Sequence, residues 1–370
     1  MKERLLEIYG KIEEKLKAEC KRQGEKIPYI SENGRYQKDM REENNSWWTN
    51  GFWAGMLWQM YHGTGEEIYK GTAEYSEIAL DRALAGFVGL HHDVGFQFLH
   101  TAVADYRLTG REESRVRGLH AASLLAGRFN PAGGFIRAWN LDKTGWMIVD
   151  CLMNLPLLYW AGKELDDPRF SAIADLHAHT ALKVLLRKDG SCNHIAVLDP
   201  FTGELLECPA GQGYEVGSSW SRGQAWAVYG FALAFMHTGR QEYLDGAKQI
   251  AHYFLANTAL TGYVALTDFR APKEPVSWDT TASACAACGL LQIAEMVPDL
   301  EKGLYYESAQ KILLTLAENH CNWNPEEDGI LQNGTVAYGR EHETHVPIIY
   351  GDYFLVEGIS RLLGKGFMIW

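Results

Sequence analysis

A phrase that recurs along the chain limits what it can fold into. YHGTGEEIYKGTAEY begins at residue 61, YRLTGREESRVRGLHAA at 106, YWAGKELDDPRFSAIA at 159 and FMHTGRQEYLDGAKQIA at 235, with a weaker copy, AEMVPDLEKGLYYESAQKI, from 294. Each joins the apolar end of one helix, through a short Gly- or Pro-bearing turn, to the charged start of an amphipathic one. Successive starts lie 45, 53, 76 and 59 residues apart. A helical hairpin repeated at such periods makes an array or a closed ring, because one hairpin cannot bury its own apolar face.

Helical periodicity marks about a dozen segments: 2–22, 50–62, 67–88, 94–109, 112–128, 147–163, 168–186, 219–238, 241–256, 278–296, 303–320 and 350–363. Segments 50–62, 147–163, 219–238 and 278–296 are apolar, aromatic or Ala-rich on most sides, whereas the segments that follow them carry charge on one face. A helix apolar all round must be buried, and an amphipathic one lies outside it. Six such pairs predict an all-α fold, an (α/α)6 six-hairpin barrel. No linker or charge run divides the sequence, so one domain is expected over residues 1–370. The stretches 129–146, 187–218, 258–277 and 321–349 are long and rich in Gly, Pro, Asn, His and Trp. They are expected to gather at one end of the barrel and wall a pocket, with short strand-like alternation in CNHIAVLD and TGYVALTDF.

Composition narrows the ligand. A net charge of −12 disfavours nucleic acid, which needs clustered Lys and Arg. Twelve Trp, 18 Tyr and 14 Phe favour a carbohydrate, since flat apolar faces stack on sugar rings, although helical cores also use such residues. Seven scattered cysteines suggest free thiols and a reducing, cytoplasmic location. The Cys285–Cys288 pair lies in an Ala-rich run without a second ligand pair, and reads as helix packing rather than a metal site. No run of 18 apolar residues offers a membrane span, and the N-terminal stretch lacks a signal-peptide core. Phosphate-loop, dinucleotide, GxSxG and HExxH motifs are all missing.

The residues that can do chemistry are carboxyls set in apolar surroundings. Residues 146–161 read WMIVDCLMNLPLLYWA, with Asp150 among Ile, Val and Leu and no Lys or Arg in the window. A buried carboxyl either finds donors or stays protonated, and a protonated one is a good general acid. Asp93, in GLHHDVGFQF, is either the N-cap of the helix after it or a second carboxylate in the same mouth. Asn154 falls one turn after Asp150, on its face, where it can orient that carboxyl. In GQGYEVGSSWSRGQAWAVYGFA, Arg222 and Trp226 share a helical face, either to hold a carboxylate and a sugar ring or as Arg-on-Trp packing. His194 and Gln212 lie in the long connection before that helix, and aromatic clusters occur in NNSWWTNGFWAGMLW and FNPAGGFIRAWN.

Taken in order, NNSWWTNGFWAGMLW, HHDVGF, MIVDCLMNLPLLYWA and SSWSRGQAWAVYGFA resemble the unsaturated glucuronyl hydrolases, glycoside hydrolase family 88. The likeness covers nearly the whole chain. It implies the same six-hairpin barrel, no metal or other cofactor, and as substrates oligosaccharides ending in an unsaturated uronic acid, the products of polysaccharide lyases. By the same resemblance Asp150 is the general acid and base and Asp93 the second essential carboxylate, holding sugar hydroxyls. His194, Gln212, Arg222 and Trp226 surround the unsaturated sugar, Trp47 or Trp48 is an aromatic wall, and Trp139 is a stacking platform. Lys365 in the ending GKGFMIW is a candidate for an outer subsite. The implied reaction needs one carboxyl that is neutral first and basic second. The rival readings are the unsaturated rhamnogalacturonyl hydrolases of family 105, a non-catalytic uronate-binding barrel and an ordinary inverting glycosidase.

Overall fold

The segments that are apolar on every side form the inner wall of a ring. In the computed structural model, which describes residues 1–370, this wall consists of Phe52–Thr64, residues 94–109, residues 149–165, Ser221–Thr238, Thr280–Met296 and Ile349–Leu362. Each packs on the next, and Ile349–Leu362 packs on Phe52–Thr64, so the ring closes. Outside lie Lys2–Gln23, Glu67–Ala79, Glu112–Ala126, Pro168–Leu185, Gln241–Thr258 and Asp299–Asn319. The first helix packs against Ile349–Leu362, so the hairpin that completes the barrel joins the two ends of the sequence. Burial follows the pattern read above. Every residue from Thr280 to Ala294 is buried, whereas Lys2–Gln23 buries a stripe that includes Leu5, Ile8, Tyr9, Ile12 and Leu16. One hydrophobic cluster of 100 buried residues runs from Leu5 to Trp370. Each large apolar side chain removed from water contributes roughly 1.5–3 kcal/mol, so the core dominates the stabilisation.

The two ends of the ring differ. Turns from inner to outer helices are short, and Gly65, Gly110 and Gly239 end three inner helices in the left-handed conformation that glycine tolerates best. These are the glycines of the repeated phrase. Connections from outer to inner helices are long and place the N-termini of all six inner elements around one mouth. Two small antiparallel sheets brace that mouth, Phe129–Asn130 with Phe135–Ile136, and Trp146–Ile148 with Ile195–Leu198 and Leu205–Glu207.

Three of the expected segments are interrupted, and the helix expected from 303 begins at Asp299. The helix expected over 67–88 breaks at Leu80 into Glu67–Ala79 and Asp81–Gly86. Residues 94–109 contain one wider turn, Leu99–Val103. The helix expected from 147 opens instead as a strand, passes through a tight turn over Val149–Met153, and becomes α-helical only at Pro156–Leu165. Proline lacks an N–H and suits the first helical position, so it sets the start there. Asp150 therefore sits before the helix, in the tight turn. Within TGYVALTDF only isolated bridges form, Leu266 to Trp278 and Asp268 to Trp220. No helix is long and apolar enough to cross a membrane.

Candidate active site

At the mouth lies a cavity of about 260 Å³ lined by Asp93, Asp150, His194, Gln212, Trp47, Trp48 and Trp139, among others. Strand register brings Asp150 and His194 together. Ile148 pairs with Ile195, and the Val149 N–H donates to the His194 carbonyl at 3.0 Å, so Asp150, next along the chain, flanks His194 just before the paired strand. His194 Nε2 lies 3.6 Å from Asp150 Oδ1, and neither atom has a hydrogen-bond partner. The Gln212 N–H donates to His194 Nδ1 at 3.0 Å, which leaves the ring proton on Nε2, facing the cavity. The Gln212 side chain is anchored separately, donating to the Val336 carbonyl at 2.7 Å.

Asp93 precedes the helix starting at Val94 but makes no side-chain cap there. Its carboxyl instead receives a hydrogen bond from Asn154 Nδ2 at 3.1 Å. His91 Nδ1 and His92 Nε2 stand 3.5 and 3.4 Å from its two oxygens. Burial, then the neighbouring Asp150 charge, push the Asp93 carboxyl well above the usual range, with Asn154 and Arg128 opposing. Burial also holds His91 down at about 4, aided by Arg128, and His92 well below its ordinary value, so neither carries a charge that would neutralise Asp93 at neutral pH. The sequence reading asked for a raised carboxyl at Asp150. The structure shows a raised carboxyl at Asp93, the other member of the pair. His91, His92 and Asp93 are also the one group whose side chains converge closely enough to hold a metal ion.

Aromatic rings form the walls. Trp47 stands edge-on to Tyr29, and Trp48 packs on Phe96 and Tyr350, so both adjacent tryptophans reach the cavity. Trp139 stacks on Trp146 with centroids 5.2 Å apart, and Lys143 lies over the outer ring. Arg222 and Trp226 lie one layer lower and do not line the cavity. Arg222 is buried between Trp220 and Tyr350 and donates to Asp279 at 2.6 Å and to the carbonyls of Thr335 and Val336. A buried guanidinium must be paired, and Asp279 at the head of the next inner helix supplies the charge. Trp226 packs on Phe96 and Phe354 in the core. Lys365 is at the other end of the barrel, over the Tyr9 ring, because the C-terminal tail packs there. Cys285 and Cys288 are buried in an inner helix, as read from the sequence.

Sequence reasoning passed over Asp279, Trp146, Tyr29, Arg340 and Glu343. Asp279 had a signal, standing before TTASACAACGLL as an N-cap residue. Arg340 and Glu343 pair at the rim at 2.9 Å and carried none, since nothing local says which rim charges face inward. A polar groove of about 680 Å³ adjoins the cavity and shares Tyr29 and Glu343 with it.

Residues 21–354 match the family model described as Glycosyl Hydrolase Family 88. The chain is 35% identical over 353 residues to the unsaturated glucuronyl hydrolase of Bacillus sp. (strain GL1), covering 92% of each protein. It is 31% identical over 348 residues to the unsaturated chondroitin disaccharide hydrolase of Streptococcus pneumoniae, covering 88% of this chain and 84% of that one. The crystal structure of the unsaturated glucuronyl hydrolase responsible for glycosaminoglycan degradation from Bacillus sp. GL1 superposes with a TM-score of 0.91 at 33% identity, over 98% of this chain and 97% of that one.

Proposed function

The chain belongs to glycosyl hydrolase family 88, and from that premise we propose that it hydrolyses unsaturated oligosaccharides, releasing the 4,5-unsaturated uronic acid from their non-reducing ends. Its substrates are products of polysaccharide lyases, glycosaminoglycan disaccharides among them. The observation that carries the mechanism is the carboxyl pair itself. Asp93 and Asp150 open into one cavity, tied to each other through Asn154, and an Asp150 oxygen is left without a partner beside the His194 Nε2–H.

The substrate is an enol ether. Two carboxyls enclosed together do not both ionise readily, so the pair carries one proton over a working range of pH. Sugar hydroxyls donating to Asp93 favour its ionised form and pass that proton to Asp150 on binding. Asp150 then protonates carbon 4, leaving oxocarbenium-like charge at carbon 5 and the ring oxygen. As a carboxylate it next draws a proton from a water that adds to carbon 5. The resulting hemiketal opens and expels the aglycone. The acetal carbon is never attacked, so the carboxyl separations that distinguish retaining from inverting glycosidases do not apply. His194 and Gln212 hold the uronate end, and Trp47 and Trp48 wall the unsaturated ring. The Trp139–Trp146 stack offers the outer sugar a face. Arg222 acts from beneath, fixing the Thr335–Val336 backbone that forms part of the wall. The scheme draws its proton from the carboxyl pair, of which Asp93 is the buried and raised member, and routes no step through a metal or cofactor. Seven unpaired cysteines support a cytoplasmic location.

The test is turnover of an unsaturated chondroitin or hyaluronan disaccharide in heavy water, followed by loss of ultraviolet absorbance and by NMR of the product. Deuterium on carbon 4 is the expected result. Label only at another carbon rejects the protonation step, and cleavage of saturated glycosides instead points to an ordinary inverting glycosidase.

A further inference from the structure

Asn154 is buried completely and holds three groups at once. Its Oδ1 accepts the Phe96 N–H at 2.7 Å, which fixes the amide orientation. Its Nδ2 then faces two acceptors, Asp93 Oδ1 and the Asp150 carbonyl, each at 3.1 Å. The Phe96 N–H is one of the free donors in the first turn after Asp93, where an Asp at that position would ordinarily turn back to cap it. Here the cap comes from the neighbouring inner element, and the Asp93 side chain is released toward the cavity. Gly95 makes the approach possible, since a Cβ on it would lie 2.5 Å from Asn154 Cα.

We propose that Asn154 is the positioning residue of the carboxyl pair: it replaces Asp93 as helix cap and pins one Asp93 oxygen, leaving the other for substrate, while locking the Asp150 backbone in register with it. The inference rests on Asp93 and Asp150 being the reacting groups. A fixed donor on Asp93 also favours the ionised form that hydroxyl binding requires.

Two substitutions separate the cap from the donor. Asn154→Ala removes both, whereas Asn154→Asp keeps an oxygen for the Phe96 N–H and replaces the donor. Both should lower kcat about 100-fold, the scale of a small misplacement at a reacting group, with a much smaller change in KM. In Asn154→Ala the pH window of kcat/KM should move upward, and Asp93, followed by carboxyl NMR without substrate, should release its proton at higher pH than in wild type. Near-wild-type kcat and pH profile in Asn154→Asp would make Asn154 a helix cap and nothing more. An unshifted Asp93 titration in Asn154→Ala would overturn the proposal equally. If wild type fails to turn over unsaturated disaccharides, the catalytic reading falls, yet the substrate-free titration still decides whether Asn154 controls Asp93.

Discussion

Glu357 and Asp150 are carboxylates in the same ring of inner elements, treated in opposite ways. Glu357 lies toward the end away from the mouth. One of its oxygens accepts from the Tyr229 hydroxyl, the other from Trp370 Nε1 at 3.0 Å, and Arg361 stands 3.5 Å away. Asp150, at the mouth, keeps Oδ1 without any partner, beside a His194 Nε2–H equally unengaged. A buried acceptor left bare costs about 1–3 kcal/mol unless a ligand completes it, and of the bare carboxyl oxygens Asp150 Oδ1 is the one whose residue lines the cavity. The difference separates the parts of this barrel that hold its shape from the part that acts.

The largest effect expected from that contrast is on turnover. Asp150→Asn and Asp93→Asn should each reduce kcat by about 10³-fold while thermal unfolding shifts little, since an amide oxygen at 93 still accepts from Asn154 and Asp150 Oδ1 has no partner to lose. Normal turnover in Asp150→Asn would erase the distinction drawn here. Next comes Asp279→Asn, which strips the buried Arg222 of its counter-charge and should cost about 3–5 kcal/mol of folding free energy in denaturant titration. Because Arg222 carries the cavity wall, activity per folded molecule should fall as well. Glu357→Gln should cost about 1–3 kcal/mol and leave kcat of the folded fraction unchanged. A catalytic defect in that variant would show that the two ends are not separable.

Glu19 sharpens the contrast, because its Oε2 is also without a partner although the residue is not part of the active-site cavity. Burial, then the charge of Asp352, push its carboxyl up to about 8 against the opposing Lys15, so it is protonated at neutral pH and is no bare anion. A folded value above the ordinary 4.5 means its contribution to stability is complete below that pH. That contribution is lost as pH rises through about 8. Asp352, raised to about 6 mainly by burial, adds the same sign over a lower window. Glu19→Gln should therefore flatten the fall in melting temperature between about pH 4.5 and 8, and an unchanged slope there would place the lost proton elsewhere. The smallest effect belongs to Trp139→Ala, which removes one face of a stacked pair at the cavity edge. KM for the disaccharide should rise by the equivalent of about 1 kcal/mol, with kcat nearly constant.

Much of this was legible before any coordinates. The repeated hairpin, the alternation of buried and one-sided helices and the placing of long connections at one end all follow from local patterns. An apolar stripe with a helical period has only one way to leave water, whatever lies far along the chain. The two aspartates stood out by their setting, whereas His194, Gln212, Trp47, Trp48 and Trp139 were pointed to the site by the family resemblance.

What they touch was decided by the tertiary structure. Asn154, read as the partner of Asp150 one turn away, bonds to the Asp150 backbone and also reaches Asp93 on the neighbouring inner element. Arg222, read either as a ligand for a carboxylate or as packing on Trp, lies over Trp220 and pairs with Asp279 at the head of the next inner helix, beneath the cavity. Asp150 meets His194 only because two short strands pair in one register. Hydrogen bonds and ion pairs are short-ranged and directional, so their partners depend on which distant segments the closed ring brings within about 3 Å. Apolar burial depends on area and tolerates many arrangements, so a one-dimensional pattern can encode it.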